Sequence, residues 1–348
     1  MLHTPSDFPN IAFTREQAQA LERLANQAER EPACGEMVAR DLSALLSGGH
    51  ALTATPARLA ELWPDHPACY PALVLLQAVP QLRERYRAHG IPASILWDTL
   101  NDLPLWMSHY ERSQGELGLA EYGWLSWHLQ FALFRLGRLE YIYTASRVPA
   151  YGFRDSRGAL SVLAAAGLRF GRGGALVEAD EPGRMSAYTE NEQSAVGLPL
   201  DEAGRAGGEP VCLCKSRWTR VLAPGDPVLD VHIPEGPRLT PNAVSASLAA
   251  APAFFRERLG RTDMRAFTCA SWLLSTALPE MLPGSGVAAF QRRFRVAPYT
   301  TSDRQIFERV FGRDKGDPLP QETALQRAIV QRYLAGGECR NMAGFILL

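Results

Sequence analysis

The chain has 348 residues, enough for two domains of ordinary size that each bury a core. Its 36 Lys plus Arg against 37 Asp plus Glu give a net charge of −1, without the basic excess of a nucleic-acid binder. No run approaches the roughly eighteen apolar residues of a membrane span, and residues 1–13 lack the apolar segment of a signal peptide. Six irregularly spaced cysteines do not make a disulfide framework, so a reduced, cytoplasmic, soluble protein is expected.

The first third reads as helix. Thr14 with Gln17 forms a capping box, and Ala18, Leu21, Leu24 and Ala25 recur at helical spacing in a stretch that runs to Leu46 and ends at Gly48-Gly49. Further helices are predicted at 56–63, 70–89, from Pro92 through Leu103, at 106–112 and at 122–134. Trp97, Trp106, Trp124 and Trp127 along this stretch read as packing anchors. Residues 139–146 form the first strand-like run, with Arg138 and Glu140 sharing a face at its start.

Residues 151–225 are irregular and glycine-rich; Leu160–Leu168 and Val211–Leu213 read as strand or short helix, and 150–220 as an insertion or lid. Cys212 and Cys214 are one residue apart, closer than most zinc-ligand pairs, and read as strand residues. Strands at 218–222 and 228–233, joined by Ala223-Pro224-Gly225-Asp226-Pro227, suggest an antiparallel hairpin. A helix from Thr240 to Leu259 follows, with Thr240 as N-cap, Pro241 at its first position and a break at Pro252. Then come a strand at 265–274, a short helix at 279–282, a strand-like end at 288–296, and helices at 302–311 and 319–334.

Polar residues interrupt two of these strands. Asp230 and His232 alternate with Val231 and Ile233, so they share one face; Cys269 and Ser271 share a face of the later strand, opposite Thr268, Ala270 and Trp272. A strand, a capped helix and a second strand would bring His232, Glu235, Cys269 and Ser271 within reach of one another. His232 suits a general base near neutral pH, with Glu235 as the second candidate. Cys269 reads either as a nucleophile activated by His232 or as a small buried residue, and Ser271 as a hydrogen-bond donor to the departing thiolate or the oxyanion.

Several runs together carry a family resemblance: L-A-P-G-D-P-V-L-D-V-H-I-P-E-G-P-R-L-T-P (222–241), F-T-C-A-S-W-L-L (267–274), L-P-G-S with F-Q-R-R-F (282–294), and V-F-G-R (310–313). With W-L-S-W-H (124–128) and F-R-L-G-R-L-E-Y (134–141), they resemble a bacterial two-domain acyltransferase family. The resemblance implies an α+β protein: an all-helical N-terminal domain, 1–138, followed by a GNAT-like mixed α/β domain, 139–348. It implies acyl transfer from a thioester to the amine or hydroxyl of a small molecule by direct attack, with His232, Glu235, Cys269 and Ser271 at the catalytic site.

The implied co-substrate is acyl-CoA, or an acyl group on the phosphopantetheine of an acyl carrier protein, held by Ile233, Gly236, Arg238 and Thr240 without a metal. The usual GNAT pyrophosphate signature is missing, which keeps the carrier protein open as a partner. No nucleic-acid or membrane partner is expected. The rival reading is a non-catalytic module that binds an acyl thioester or peptide in a GNAT-like cleft.

Overall fold

A computed structural model of the chain describes residues 1–312 and 318–348 and divides them into two compact units. Met1–Ile142, with Ile233–Gly236 and Ala249–Gly260, forms the first unit; Tyr143–His232, Pro237–Leu248 and Arg261–Leu348 form the second. Among the described residues no helix is long and apolar enough to cross a membrane.

The first unit is built from α1 (Arg15–Arg30), α2 (Pro32–Leu46), α3 (Pro56–Leu62), α4 (Tyr70–Ala88), α5 (Ala93–Leu100), α6 (Asp102–Gln114) and α7 (Tyr122–Leu129). Helix α4 is apolar around most of its circumference and is the central element, with every residue from Tyr70 to Val79 buried. Asp41 is buried beside it and accepts hydrogen bonds from the Tyr70 hydroxyl (2.7 Å) and the Thr53 amide (2.7 Å).

The helical reading holds here with four corrections, the first that the helix expected from Pro92 through Leu103 ends at Leu100 and the next begins at Asp102. The stretch from Thr14 to Leu46 is two helices, because Pro32 disfavours helical backbone at Glu31, which is extended at φ −108°, ψ 110°. The helix expected over 122–134 stops at Leu129. Phe131 takes φ +63°, held by packing against Tyr86, His89 and Phe134 and by the Arg85 guanidinium over its ring. Phe134 therefore belongs to β1 (Leu133–Leu136), which pairs antiparallel with β2 (Leu139–Ala145). Arg138 lies in the two-residue turn between them, not on the strand face with Glu140; Gly137 precedes it at φ +70°.

The second unit contains regular structure where the sequence looked irregular. Strands β3 (Ala150–Asp155), β4 (Leu160–Ala164), β5 (Arg169–Phe170), β6 (Arg184–Met185), β7 (Tyr188–Glu190), β8 (Ser194–Gly197), β9 (Val211–Cys214) and β10 (Trp218–Leu222) fill 150–222. They pair as β10-β3-β4, β5-β6 and β7-β8-β9, all antiparallel. Strands this short carry too few residues for an alternating pattern to show.

The rest of the unit is β11 (Pro227–His232), α8 (Pro241–Leu259), β12 (Ala266–Ser271), α9 (Leu278–Met281), α10 (Gly286–Gln291), β13 (Arg295–Pro298), α11 (Arg304–Ile306, continuing as a π-helical turn to Phe311), α12 (Ala324–Leu334) and β14 (Met342–Leu347). Strands β11, β12, β14 and β13 lie side by side in that order; β11 and β12 are parallel, the other pairs antiparallel. Arg313, which closes the V-F-G-R run, lies outside the described residues.

The hairpin expected between 218–222 and 228–233 is not formed. Strand β10 pairs with β3 and β11 with β12, and Leu222 and Val228 meet in a common core with Ala150, Val162, Ala266 and Phe345. Two consecutive strands that bury apolar residues toward one another pack face to face instead of edge to edge. Helix α8 is continuous through Pro252. The strand expected over 265–274 ends at Ser271, where a short 3₁₀ turn begins. The strand-like end expected over 288–296 begins as helix α10, capped by Ser285, and becomes strand only at Arg295. The last helix starts at Ala324, behind the Thr323–Gln326 capping box, not at Leu319.

Gly286 and Arg293 brace the start of α8. A Cβ on Gly286 would lie 1.9 Å from the Leu239 carbonyl oxygen, so only glycine lets α10 approach the chain entering α8. Arg293 donates to the Pro241 carbonyl (3.2 Å) and to Ser245 Oγ (2.5 Å), fixing the first turn of α8. Gly286→Ala is therefore expected to cost about 1–3 kcal/mol and lower the thermal midpoint by several degrees. Gly284→Ala, where a Cβ meets nothing within 4 Å, should leave the midpoint nearly unchanged. Equal midpoints for the two variants in a differential scanning experiment would contradict this account.

Candidate active site

His232 ends β11 with its ring about one-quarter exposed, and its Nε2 is 3.2 Å from Asp230 Oδ2. The contact follows from strand geometry, since residues two apart project from the same face. Asp230 is buried, and a carboxylate taken out of water needs partners. Thr268 Oγ1 donates to its Oδ1 at 2.8 Å from the adjacent strand, and Arg147 Nη2 lies 3.5 Å from its Oδ2. The Nε2 atom lies within ion-pair distance of this carboxylate without making an aligned hydrogen bond to it.

The register decides which residues share this face. Asp230 is the partner of Thr268 in the parallel ladder, as Leu229 is of Phe267, so Asp230, His232, Thr268 and Ala270 project to one side. Ala270 is the exposed residue of an otherwise buried strand, and its small side chain leaves that end of the face open. Cys269 and Ser271 project to the other side, contrary to the expectation that they gather with His232.

Cys269 is sealed, and burial first, then the charge of Asp230, pushes its thiol well above the ordinary range. A nucleophile needs the opposite shift. Ser271 Oγ accepts the Leu273 amide (3.1 Å) and caps the 3₁₀ turn, so its polar atom has a local structural task.

The turn after β11 collects arginines. Glu235 is exposed and its carboxylate lies 3.5 Å from Arg112, also exposed, a solvated pair that adds little stability. Arg138 donates to the Pro234 carbonyl at 2.9 Å, and Arg135 Nη2 lies 3.6 Å from where a Gly236 Cβ would be. Burial, then the nearby Arg135 charge, lowers the Arg138 guanidinium below its usual value, the mark of an electropositive spot. Gly236 takes φ +141°, a conformation that favours glycine. Ile233 is half-buried, while Arg238 and Thr240 are exposed. Thr240 Oγ1 accepts the Ala243 amide (3.3 Å), confirming the cap on α8.

Sequence reading missed the partners of Asp230. The alternation showed that Asp230 and His232 share a face, but Thr268 needed the strand register and Arg147 gave no signal. Arg135 belongs to the F-R-L-G-R run, where only the hairpin brings it to the turn at Pro234–Gly236.

Residues 6–131 match the N-acyltransferase N-terminal domain and residues 133–346 the GNAT-like C-terminal domain. The chain therefore belongs to the two-domain GNAT-like acyltransferase family, a family of enzymes.

Solved structures share the fold. One is an acyltransferase in complex with decanoyl-CoA and teicoplanin, 22% identical, with a TM-score of 0.68 over 100% of this chain and 90% of that one. Another is an acyltransferase mutant in complex with octanoyl-CoA, at 21% identity and TM-score 0.68, over 100% of this chain and 90% of that one. A third, in complex with CoA and 10C-teicoplanin, has 22% identity and TM-score 0.67, over 99% of this chain and 87% of that one. No curated protein matches the chain.

Thiol accessibility tests the placement of Cys269. Cys212 and Cys214 are exposed on β9, while Cys34, Cys69, Cys269 and Cys339 are buried. Brief maleimide treatment of the native protein is expected to add two labels, both on the peptide containing β9, and six after denaturation. Rapid native labelling of Cys269 would restore the covalent reading.

Proposed function

We propose that the chain transfers an acyl group from acyl-CoA to the amine of a small-molecule acceptor by direct attack, using the C-terminal part, 139–348. The His232–Asp230 pair carries this reading: a one-quarter-exposed imidazole beside a buried, hydrogen-bonded carboxylate. His232 takes the amine proton as the C–N bond forms and the C–S bond breaks, and the departing thiolate takes up a proton to leave as CoA thiol. Glu235, exposed and paired with Arg112, is the weaker base candidate.

The donor is assigned to the continuous segment that follows the base. Backbone amides near Ile233 would hold the thioester carbonyl and pantetheine arm, and Gly236, Arg238, Thr240 and the first turn of α8 the pyrophosphate. The solved acyltransferases of the same fold bind decanoyl-CoA and octanoyl-CoA, which supports acyl-CoA as donor and a medium-length chain as the first probe. One of them also binds teicoplanin, which supports a bulky small molecule as acceptor. A second reading, an acyl carrier protein as donor, rests on the missing pyrophosphate signature.

The test pairs binding with turnover. Decanoyl-CoA, octanoyl-CoA and free CoA are expected to raise the thermal midpoint, and thiol release from acyl-CoA should rise on addition of an amine acceptor from a screened panel. His232→Ala should lower kcat by about 10²–10⁴-fold while keeping the thermal shift with decanoyl-CoA. A stabilising response to acyl-pantetheine but none to any CoA species would favour the carrier-protein donor. Undiminished turnover in His232→Ala would refute the assignment of the base.

A further inference from the structure

Far along the chain from the His232 face, the first unit encloses three ligand-type side chains that the proposed reaction does not use. Asp102 opens α6, His128 lies in the last turn of α7 and Glu140 is on β2; their side chains are 3%, 1% and 1% exposed or less. One nitrogen or oxygen from each lies within 4.8 Å of the others, and His128 Nε2 is 3.4 Å from Asp102 Oδ2.

The free atoms point to an occupant. Asp102 Oδ1, Glu140 Oε1 and both ring nitrogens of His128 make no hydrogen bond among the described residues. Buried polar atoms left without a hydrogen bond are costly. The other oxygen of Asp102 is held firmly: Trp106 Nε1 donates to Oδ2 at 3.0 Å and Trp124 Nε1 at 3.4 Å. Indole N–H groups that orient a carboxylate while leaving its second oxygen open are the supporting contacts expected of a metal-binding carboxylate.

We infer that Asp102, His128 and Glu140 form a buried site for one divalent transition-metal ion, binding through one nitrogen and two carboxylate oxygens. Ligand bonds of about 2.0–2.2 Å put donors on one ion roughly 3.3–4.2 Å apart, so donor atoms within 4.8 Å of one another close on an ion with small side-chain rotations. An imidazole with two carboxylates suits Zn²⁺, Mn²⁺ or Fe²⁺ better than the all-oxygen cages of Ca²⁺ and Mg²⁺. Arg135 and Arg138 belong to the same hairpin and oppose the ion's charge, so the affinity depends on both carboxylates. The ion would tie α6, α7 and β2 together as a structural centre.

Elemental analysis of the full chain after dialysis against Zn²⁺ is the test, with Co²⁺ exchanged in for a spectroscopic reading. About one equivalent of metal and a Co²⁺ d–d absorption band without thiolate charge transfer are expected. Glu140→Gln, nearly isosteric and so expected to fold, should weaken Zn²⁺ binding by at least about 100-fold and abolish the thermal stabilisation by Zn²⁺. Replacing both Cys212 and Cys214 by serine should leave the metal content unchanged, separating this site from the exposed thiols. Absence of bound metal in the wild type, full metal content in Glu140→Gln, or loss of metal with the cysteine pair would each overturn the proposal.

Discussion

The buried carboxylate of Asp230 is the interaction on which the candidate site depends. A charge inside a strand is tolerated only when its oxygens are satisfied, and Thr268, Arg147 and His232 supply that satisfaction from three places in the chain. The Thr268 bond joins β11 to β12 at the residues the parallel ladder pairs. The same carboxylate lies beside His232. One desolvated group thus links strand pairing to the geometry of the base.

The second constraint is the entry into α8. Gly286 allows α10 to press against Leu239, and Arg293 grips Pro241 and Ser245, so segments some fifty residues downstream hold the first turn of the helix. The D-V-H-I-P-E-G-P-R run carries the candidate base and donor segment, and Gly286 with Arg293 of the F-Q-R-R-F run braces the helix behind it. The proposed chemistry asks little more of the protein than a fixed base and a fixed donor, because proximity supplies much of the rate of acyl transfer.

Much of this was legible in the sequence, and the gaps have physical causes. The capping box at Thr14 and the Thr240-Pro241 start were readable because a helix end is a local hydrogen-bonding problem. The strands of 150–222 were not, because two- to six-residue strands show little period and their pairing depends on residues far away. The same limit misplaced Cys269. Alternation told which residues share a face within a strand, but only the register of β12 on β11 showed that Thr268, not Cys269, is on the side of His232. Phe131 is the remaining lesson: a left-handed phenylalanine stabilised by tertiary aromatic packing ended a helix that local propensity would have continued.

The most direct measurement of the central claim is the steady-state rate of Asp230→Asn beside the wild type, with acyl-CoA binding followed in parallel. The account predicts a loss of about 10²–10⁴-fold in kcat with donor affinity nearly unchanged, because the imidazole loses the carboxylate beside it. Wild-type turnover in a folded Asp230→Asn protein would contradict the account and remove the His232–Asp230 pair from the mechanism.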